Sequence, residues 1–369
     1  MHKPFPLLIA AMCLLASGGC QSVGQLSVDY MLPAEINFPD NMRRVAVVNN
    51  MPQSPEPYFK VEDSRHGDGN RHVSVTHKVY DGDARVATLA LAQGLADGNY
   101  FDEVVICDSA LRAADVTPRE TTLTRAEVRQ LIQRLDVDFI VALENVQIKS
   151  RRQVGYSPLY DAYVGMLDVN AYAKACLYFP SRNGAAATLS CADSIYWEEG
   201  GASLGEANAR LISEGDMVVE ASGFAGRLPV ERLLPHWQTA TRYLFKGGSV
   251  AMRDAAVYAD EGLWAEAVEL WELAYRQSKR SRQKMRTAYN VAVGYEMQDS
   301  ISKAIQWARK AQDAAAQVDK LEEKVQENQN IYADKVPNYT VVSLYIAELE
   351  KRKQSIQQLD MQMERFIKP

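Results

Sequence analysis

Hydrophobic and polar positions change their period several times along the chain, and each change predicts an element. Arg43–Asn50 (RRVAVVNN) is a continuous β-branched run and predicts a buried strand. Pro, Gly, Asp and His then crowd residues 51–72, which predicts a loop. Apolar residues three and four apart across 82–98 predict an amphipathic helix ended by Gly98. Phe101–Asp108 reads as a second strand, Thr124–Leu135 as a second helix and Asp138–Val146 as a third strand. Strict alternation follows. Leu167, Val169, Ala171, Ala173, Ala175, Leu177 and Phe179 share one face, and Thr188–Trp197 forms a second run. Together they predict an antiparallel hairpin with one buried face. Helical spacing takes over from about Gly205. This order predicts a mixed-sheet α/β sandwich over residues 40–245, followed by an all-α domain over 246–369. The fold class is thus α+β or α/β at the front, with helices behind.

The helical part carries a repeat. Tyr258, Gly262, Trp264, Ala267, Trp271 and Ala274 resemble the spacing of a tetratricopeptide repeat, and Tyr295, Ala304 and Ala311 continue the pattern 37 residues later. The usual period is about 34, so three residues are inserted between units. Alanines at helix crossings let the backbones approach, and aromatic residues fill the space beside them. Asp254 and Ala308 depart from the usual residues. The resemblance implies a concave groove, with Arg253, Lys284 and Asn290 as inward contacts for a peptide or protein. Asp319–Val336 and Tyr339–Phe366 add two helices that would cap the array.

The N-terminus reads as an address. Lys3 is followed by an apolar stretch, Leu7–Ala16, and by Ser17-Gly18-Gly19 before Cys20. The stretch is too short for a membrane span of about 20 residues and suits a secretory signal over 1–19. Small residues before a cysteine resemble a bacterial lipobox, although Ser17 stands where Leu is commonest. That resemblance implies acylation of Cys20, with 20–39 as anchor and linker. The alternative is an ordinary signal with Cys20 incidental. Gln21, Ser22, Val23 and Gly24 contain no aspartate, and by resemblance to lipoprotein sorting this favours the periplasmic face of the outer membrane.

Two wider resemblances follow from element order. The run VAVVNN, helix, YFDEVVICD, helix, DVDFIVALENV and long hairpin resembles the α/β module of curli-secretion-type lipoproteins and of TolB-like N-terminal domains. With the lipobox, LPAEINFP, and Leu233–Phe245 (LLPHW…TRYLF), the chain also resembles a family of Bacteroidetes lipoproteins built from these parts. The resemblance implies protein partners in the envelope and no catalysis.

Cysteines and charge sharpen this picture. Cys107, Cys176 and Cys191 lie beyond Cys20, and a periplasmic setting permits disulfides. Cys176 and Cys191 each stand seven residues from Asn183-Gly184, a hairpin-turn dipeptide. A two-residue loop would set them opposite one another, within disulfide reach. Pro180 would then fall on a ladder position, which argues for a longer turn or a shifted register. A disulfide and two thiols on opposite faces both stay open. A net charge of -6 argues against a nucleic-acid partner.

Candidate chemistry is sparse. His66, Asp68, His72 and His77, beside Glu62 and Asp63, carry donors that zinc accepts, but their spacing matches no established motif and a solvated loop is the plainer reading. The sequence has no G-x-S-x-G, Walker-type phosphate loop or H-E-x-x-H. Cys107 reads as a buried, inert thiol. Arg151-Arg152 reads as a solvated bend, and Gly155–Gly165 as a contact surface. Charges at Lys149, Arg151, Arg152 and Asp161 argue against a lipid-facing pore hairpin. The expectation is therefore a non-enzymatic envelope lipoprotein that scaffolds protein partners, with no cofactor. A metal-dependent protein using the His66–His77 loop, and a subunit of an outer-membrane secretion or uptake assembly, are the alternatives.

Overall fold

The computed structural model describes residues 23–52, 62–63, 74–112, 123–327 and 337–366. The protein is mixed α/β, with an N-terminal mixed sheet and C-terminal helices. It forms two units. One runs from Pro33 to His236 and takes in residues 361–366; the other joins residues 23–32 to Trp237–Asp360. The first strand, β1 (Val23–Leu32), belongs to the second unit.

In the first unit, β2 (Arg44–Asn49) lies one strand in from the edge of a seven-stranded sheet. After β3 (Glu62–Asp63) and β4 (Ser74–Asp81), helix α1 (Ala84–Asp97) leads to β5 (Glu103–Cys107). Helix α2 (Arg125–Leu135) then leads to β6 (Phe139–Ser157). β5 and the first part of β6 flank β2 in parallel, with Val45 opposite Val104 and Phe139. Both faces of β2 are covered. Val45 and Val47 pack with Leu91 and Leu95 of α1, while Ala46 and Val48 pack with Val128 and Leu131 of α2. A strand buried on both faces must be apolar throughout, which is why it reads as a continuous run. Asp83 caps α1 by accepting from the amides of Arg85 and Val86, and Thr124 with Glu127 forms a capping box on α2.

The register of β6 shifts between Leu143 and Asn145, and the strand then pairs antiparallel with β4 on one side. On its other side it pairs along its length with β7 (Ala162–Tyr178), which pairs with β8 (Ala187–Gly201). Arg151 and Arg152 are therefore mid-strand rather than on a bend: the strand runs on because Val146, Ile148 and Val154 keep one face buried. The hairpin turns at residues 158–161, where Leu159 is 83% exposed. Three helices follow, α3 (Leu204–Arg210), α4 (Glu214–Arg227) and α5 (Val230–Leu233). Gly226 of α4 lies so close to α1 that a Cβ there would stand 2.2 Å from the Ala87 carbonyl oxygen. On β8, the Ser190 and Gly200 carbonyls accept from Arg232 and Arg210, and the Ser194 amide donates to Asp193.

The pairing of β7 with β8 decides the cysteine question. Cys176 stands opposite Thr188, and Cys191 opposite Ala173. Both thiols are free and face different layers: Cys176 packs beside Tyr178 against the α2 layer, Cys191 against the α1 and α4 layer. The disulfide is thus overturned by a turn longer than two residues, residues 179–186, which shifts the register. Burial pushes both thiols above their ordinary pKa. Cys107 is partly buried at the end of β5.

In the second unit β1 pairs with β9 (His236–Phe245). Residues 20–39, read as anchor and linker, thus hold a strand, and β9 pairs with that strand and is not part of the seven-stranded sheet. Two helical hairpins come next, α6 (Val250–Asp260) with α7 (Trp264–Gln277) and α8 (Ser281–Glu296) with α9 (Ile301–Val318). Ala267, Ala274, Ala304 and Ala311 are buried with Trp271 in the core of this unit. The two turns match. Gly262 and Asp299 both take positive φ, and the amides of Leu263 and Ser300 donate to the Tyr258 and Tyr295 carbonyls at 2.8 and 2.9 Å. Trp264 and Tyr295 pack partly buried against this core. Tyr258 does not: the residue is 38% exposed, and its part in the hairpin is the carbonyl that closes the turn. A short α10 (Leu321–Gln326) and a long α11 (Asn338–Met363) follow, and Val342, Tyr345, Ile346 and Leu349 of α11 join the core.

Candidate functional site

The alternation of paired strands builds a cleft in the first unit. Thr76, Lys78 and Tyr80 on β4 stand opposite Arg152, Ser150 and Ile148 on β6, so polar side chains from both strands point to one face. The α3–α4 segment faces them with Asn208, Ile212 and Glu214, and the space between measures about 670 Å³. This lies within the range of about 300–1,000 Å³ common for small-ligand sites.

Its polar groups are already tied to one another. Lys78 Nζ lies 2.7 Å from Glu214 Oε2. Tyr80 donates to Glu214, and Ser150 also hydrogen-bonds the phenol. Burial, and then the Glu214 contact, hold the Tyr80 pKa well above its ordinary value. For Glu214 burial works upward, but the hydrogen bonds from Lys78 and Tyr80 outweigh it and the carboxyl lies below its ordinary range. Arg152 donates to Asn208 Oδ1 at 3.1 Å and to the Ile212 carbonyl at 3.0 Å. Two bonds to uncharged oxygens fix the plane of its guanidinium while leaving its charge in place. The cleft can orient a ligand and hold it by charge-assisted hydrogen bonds.

The residues singled out by sequence fall elsewhere. His66, Asp68, His72 and Cys20 lie outside the described residues. His77 sits in β4, opposite Glu62 and Arg151, on the face turned away from the cleft. Among the described residues no three His, Cys, Asp or Glu are grouped to hold a metal ion. Of the three groove residues, Arg253 is exposed and donates to the Gly248 carbonyl, and Lys284 lies 5.9 Å from the Tyr275 ring centre. Asn290 is overturned as a ligand contact. It is fully buried, and its amide both accepts from the Phe245 N–H and donates to the Phe245 carbonyl, each at 2.9 Å. The inward face of α8 is thus filled by β9 and α11 of the same unit.

Beside Asn290 lies a buried charge network. Arg242 of β9 makes a bidentate pair with Glu296 of α8, at 2.9 and 3.0 Å, and reaches Glu348 of α11 at 2.6 Å. Tyr345 donates to Glu296 and Tyr30 to Glu348, both at 2.8 Å. Burial alone would lower the Arg242 pKa, but Glu296 and Glu348 raise it. Burial and Glu348 push Tyr30 up to about 12. Every charge has a partner inside the unit, so the network fastens β1, β9, α8 and α11 together.

The cleft residues Lys78, Tyr80, Ser150, Arg152, Asn208 and Glu214 were not singled out by sequence. The one available signal was polar alternation on β4 and β6, which the surrounding loop composition masks.

These features define a two-unit α+β protein with a polar cleft on a mixed sheet. Residues 42–245, more than half of the chain, match the family described as domain of unknown function DUF8603, and the chain belongs to that family. Residues 253–351 match a second, domain of unknown function DUF6340. No curated protein and no solved structure matches the chain.

Proposed function

We propose that the protein is a non-catalytic binding lipoprotein of the cell envelope, which scaffolds a partner on the periplasmic face of the outer membrane through acylated Cys20. The cleft carries this reading: it has the size of a ligand site, and hydrogen bonds fix its polar groups before any ligand arrives. The helical hairpins are read as tetratricopeptide-like units, supported by their matching turns and buried alanines. Their inward face is occupied by β9 and α11, so recognition falls to the cleft and the helices serve as a brace. The element order of the α/β unit supports kinship with the curli-secretion and TolB-like modules.

Two measurements test this reading. Palmitate labelling is expected to be lost in Cys20→Ala. A photo-crosslinking side chain at Ala209, which lines the cleft, is expected to capture a discrete species in the native envelope, and one at Lys284 to capture none. Capture at Lys284 alone would return recognition to the helices.

A further inference from the structure

We propose that the cleft takes a ligand with one carboxylate on an apolar body, the carboxylate binding Arg152; the inference rests on the cleft being the binding site. Three ionisable groups of fixed charge line it: Lys78, Arg152 and Glu214. Lys78 and Glu214 neutralise one another at 2.7 Å. Both hydrogen-bond partners of Arg152 are uncharged oxygens; Glu214 feels its charge, but among the described residues no carboxylate makes an ion pair with it. One positive charge is left, and it calls for one negative charge.

Geometry narrows the anion further. A guanidinium has five N–H donors, and Asn208 with Ile212 takes two. The others remain for a planar bidentate partner, the arrangement a carboxylate fits. A phosphate dianion would bring a second negative charge toward Glu214, and the Ser213 cap already occupies the Asp216 amide at the start of α4. The remaining wall is apolar: Val154, Leu167, Leu204, Leu211, Ile212 and Met217 line the same space. Leu204 and Ile212 are only partly buried, so a ligand's apolar part would remove further surface from water. An acyl chain ending in a carboxylate and the C-terminus of an apolar peptide share this chemistry.

Calorimetric titration of the full mature chain separates the outcomes. The probes are decanoate and N-acetyl-valyl-leucine, each beside its neutral primary amide. At least one acid is expected to bind at a single site, tenfold or more tighter than its amide, and Arg152→Gln to weaken it tenfold or more. The acid that binds identifies the source of the carboxylate. Equal binding of acid and amide, unchanged affinity in Arg152→Gln, or no binding of either acid overturns the proposal. Should Arg152→Gln fail to fold, Arg152→Lys keeps the charge without the fork and is expected to give a smaller loss in the same direction. Capture from Ala209 with no preference for acids would end the carboxylate inference while leaving the cleft as a site; no capture there would end both.

Discussion

Replacing Arg242 by Met tests whether the buried charges hold the second unit together. The Arg242 side chain is 6% exposed and that of Glu296 is fully buried. Removing one partner of such a pair costs about 3–5 kcal/mol, because the other charge stays buried and uncompensated. Here Glu296 would retain the Tyr345 hydroxyl at 2.8 Å and Arg352 at 3.5 Å. Glu348, 34% exposed, would retain Tyr30 and gain water. These residual partners place the expected loss at the lower end, about 3 kcal/mol. Glu296→Gln in the same background removes the stranded charge yet still accepts from Tyr345. The double variant should therefore recover at least half of the loss, giving a favourable coupling in the mutant cycle. Urea unfolding suits the measurement because urea does not screen charge, and tryptophan emission reports mainly on this unit, which holds Trp237, Trp264, Trp271 and Trp307. A loss below about 1 kcal/mol for Arg242→Met, or a double variant less stable than the single, would refute the argument.

Alkaline pH should weaken the same unit. Tyr30 and Tyr289 are each raised from 10.0 to about 12, so the neutral phenol is favoured in the folded state and the stabilisation is complete below pH 10 and lost as pH rises through 12; a urea midpoint already falling between pH 8 and 9 would contradict it. In the first unit, Gly226→Ala should cost about 1–3 kcal/mol, since the added methyl meets the Ala87 carbonyl, which cannot yield without separating the helices. Gly223→Ala, whose methyl would meet Val86 at an ordinary 3.7 Å, should gain up to about 1 kcal/mol from helix propensity; equal effects in urea unfolding would disprove the close crossing. Thr188→Cys should form a disulfide with Cys176, which stands opposite at 3.4 Å between side chains, whereas the wild-type chain should retain free thiols at Cys176 and Cys191 on mass analysis.

What could be read from sequence follows the range of the interactions involved. The two-sided burial of β2 and the one-sided burial of β7 each leave a local periodicity, and both strands were legible. Alternation was present in β1 as well, at Val28 and Tyr30, but a ten-residue strand whose partner lies more than 200 residues away reads as a linker until the pairing is known. Asn290 illustrates the opposite failure. Helical spacing put it correctly on the inward face of α8, yet what occupies that face is Phe245 and the helix from Asn338, and no local pattern announces a groove filled from within. The hairpin turn failed for a smaller reason: Asn183-Gly184 marks a turn, but Pro180 and its neighbours extend it to eight residues and move Cys191 to the other face.

The cleft was hidden because its chemistry interrupts the pattern that would have revealed its strand. Ser150 and Arg152 occupy positions of β6 that continue the buried face of Val146 and Ile148. A structural sheet would place apolar residues there, and a leucine at such a position contributes about 1.5–3 kcal/mol when fully buried. Proteins break a local rule in this way chiefly at functional sites, where stability is given up for binding. Arg152→Leu turns that reasoning into a measurement. The new side chain would pack beside Ile212 and Leu204, while Asn208 and the Ile212 carbonyl turn to water in the open cleft. Urea unfolding should find stability unchanged or raised by about 0.5–1 kcal/mol, with carboxylate binding lost. A loss above about 2 kcal/mol would make Arg152 a structural tie between β6 and the α3–α4 segment, and its place in the cleft would then need no ligand to explain it.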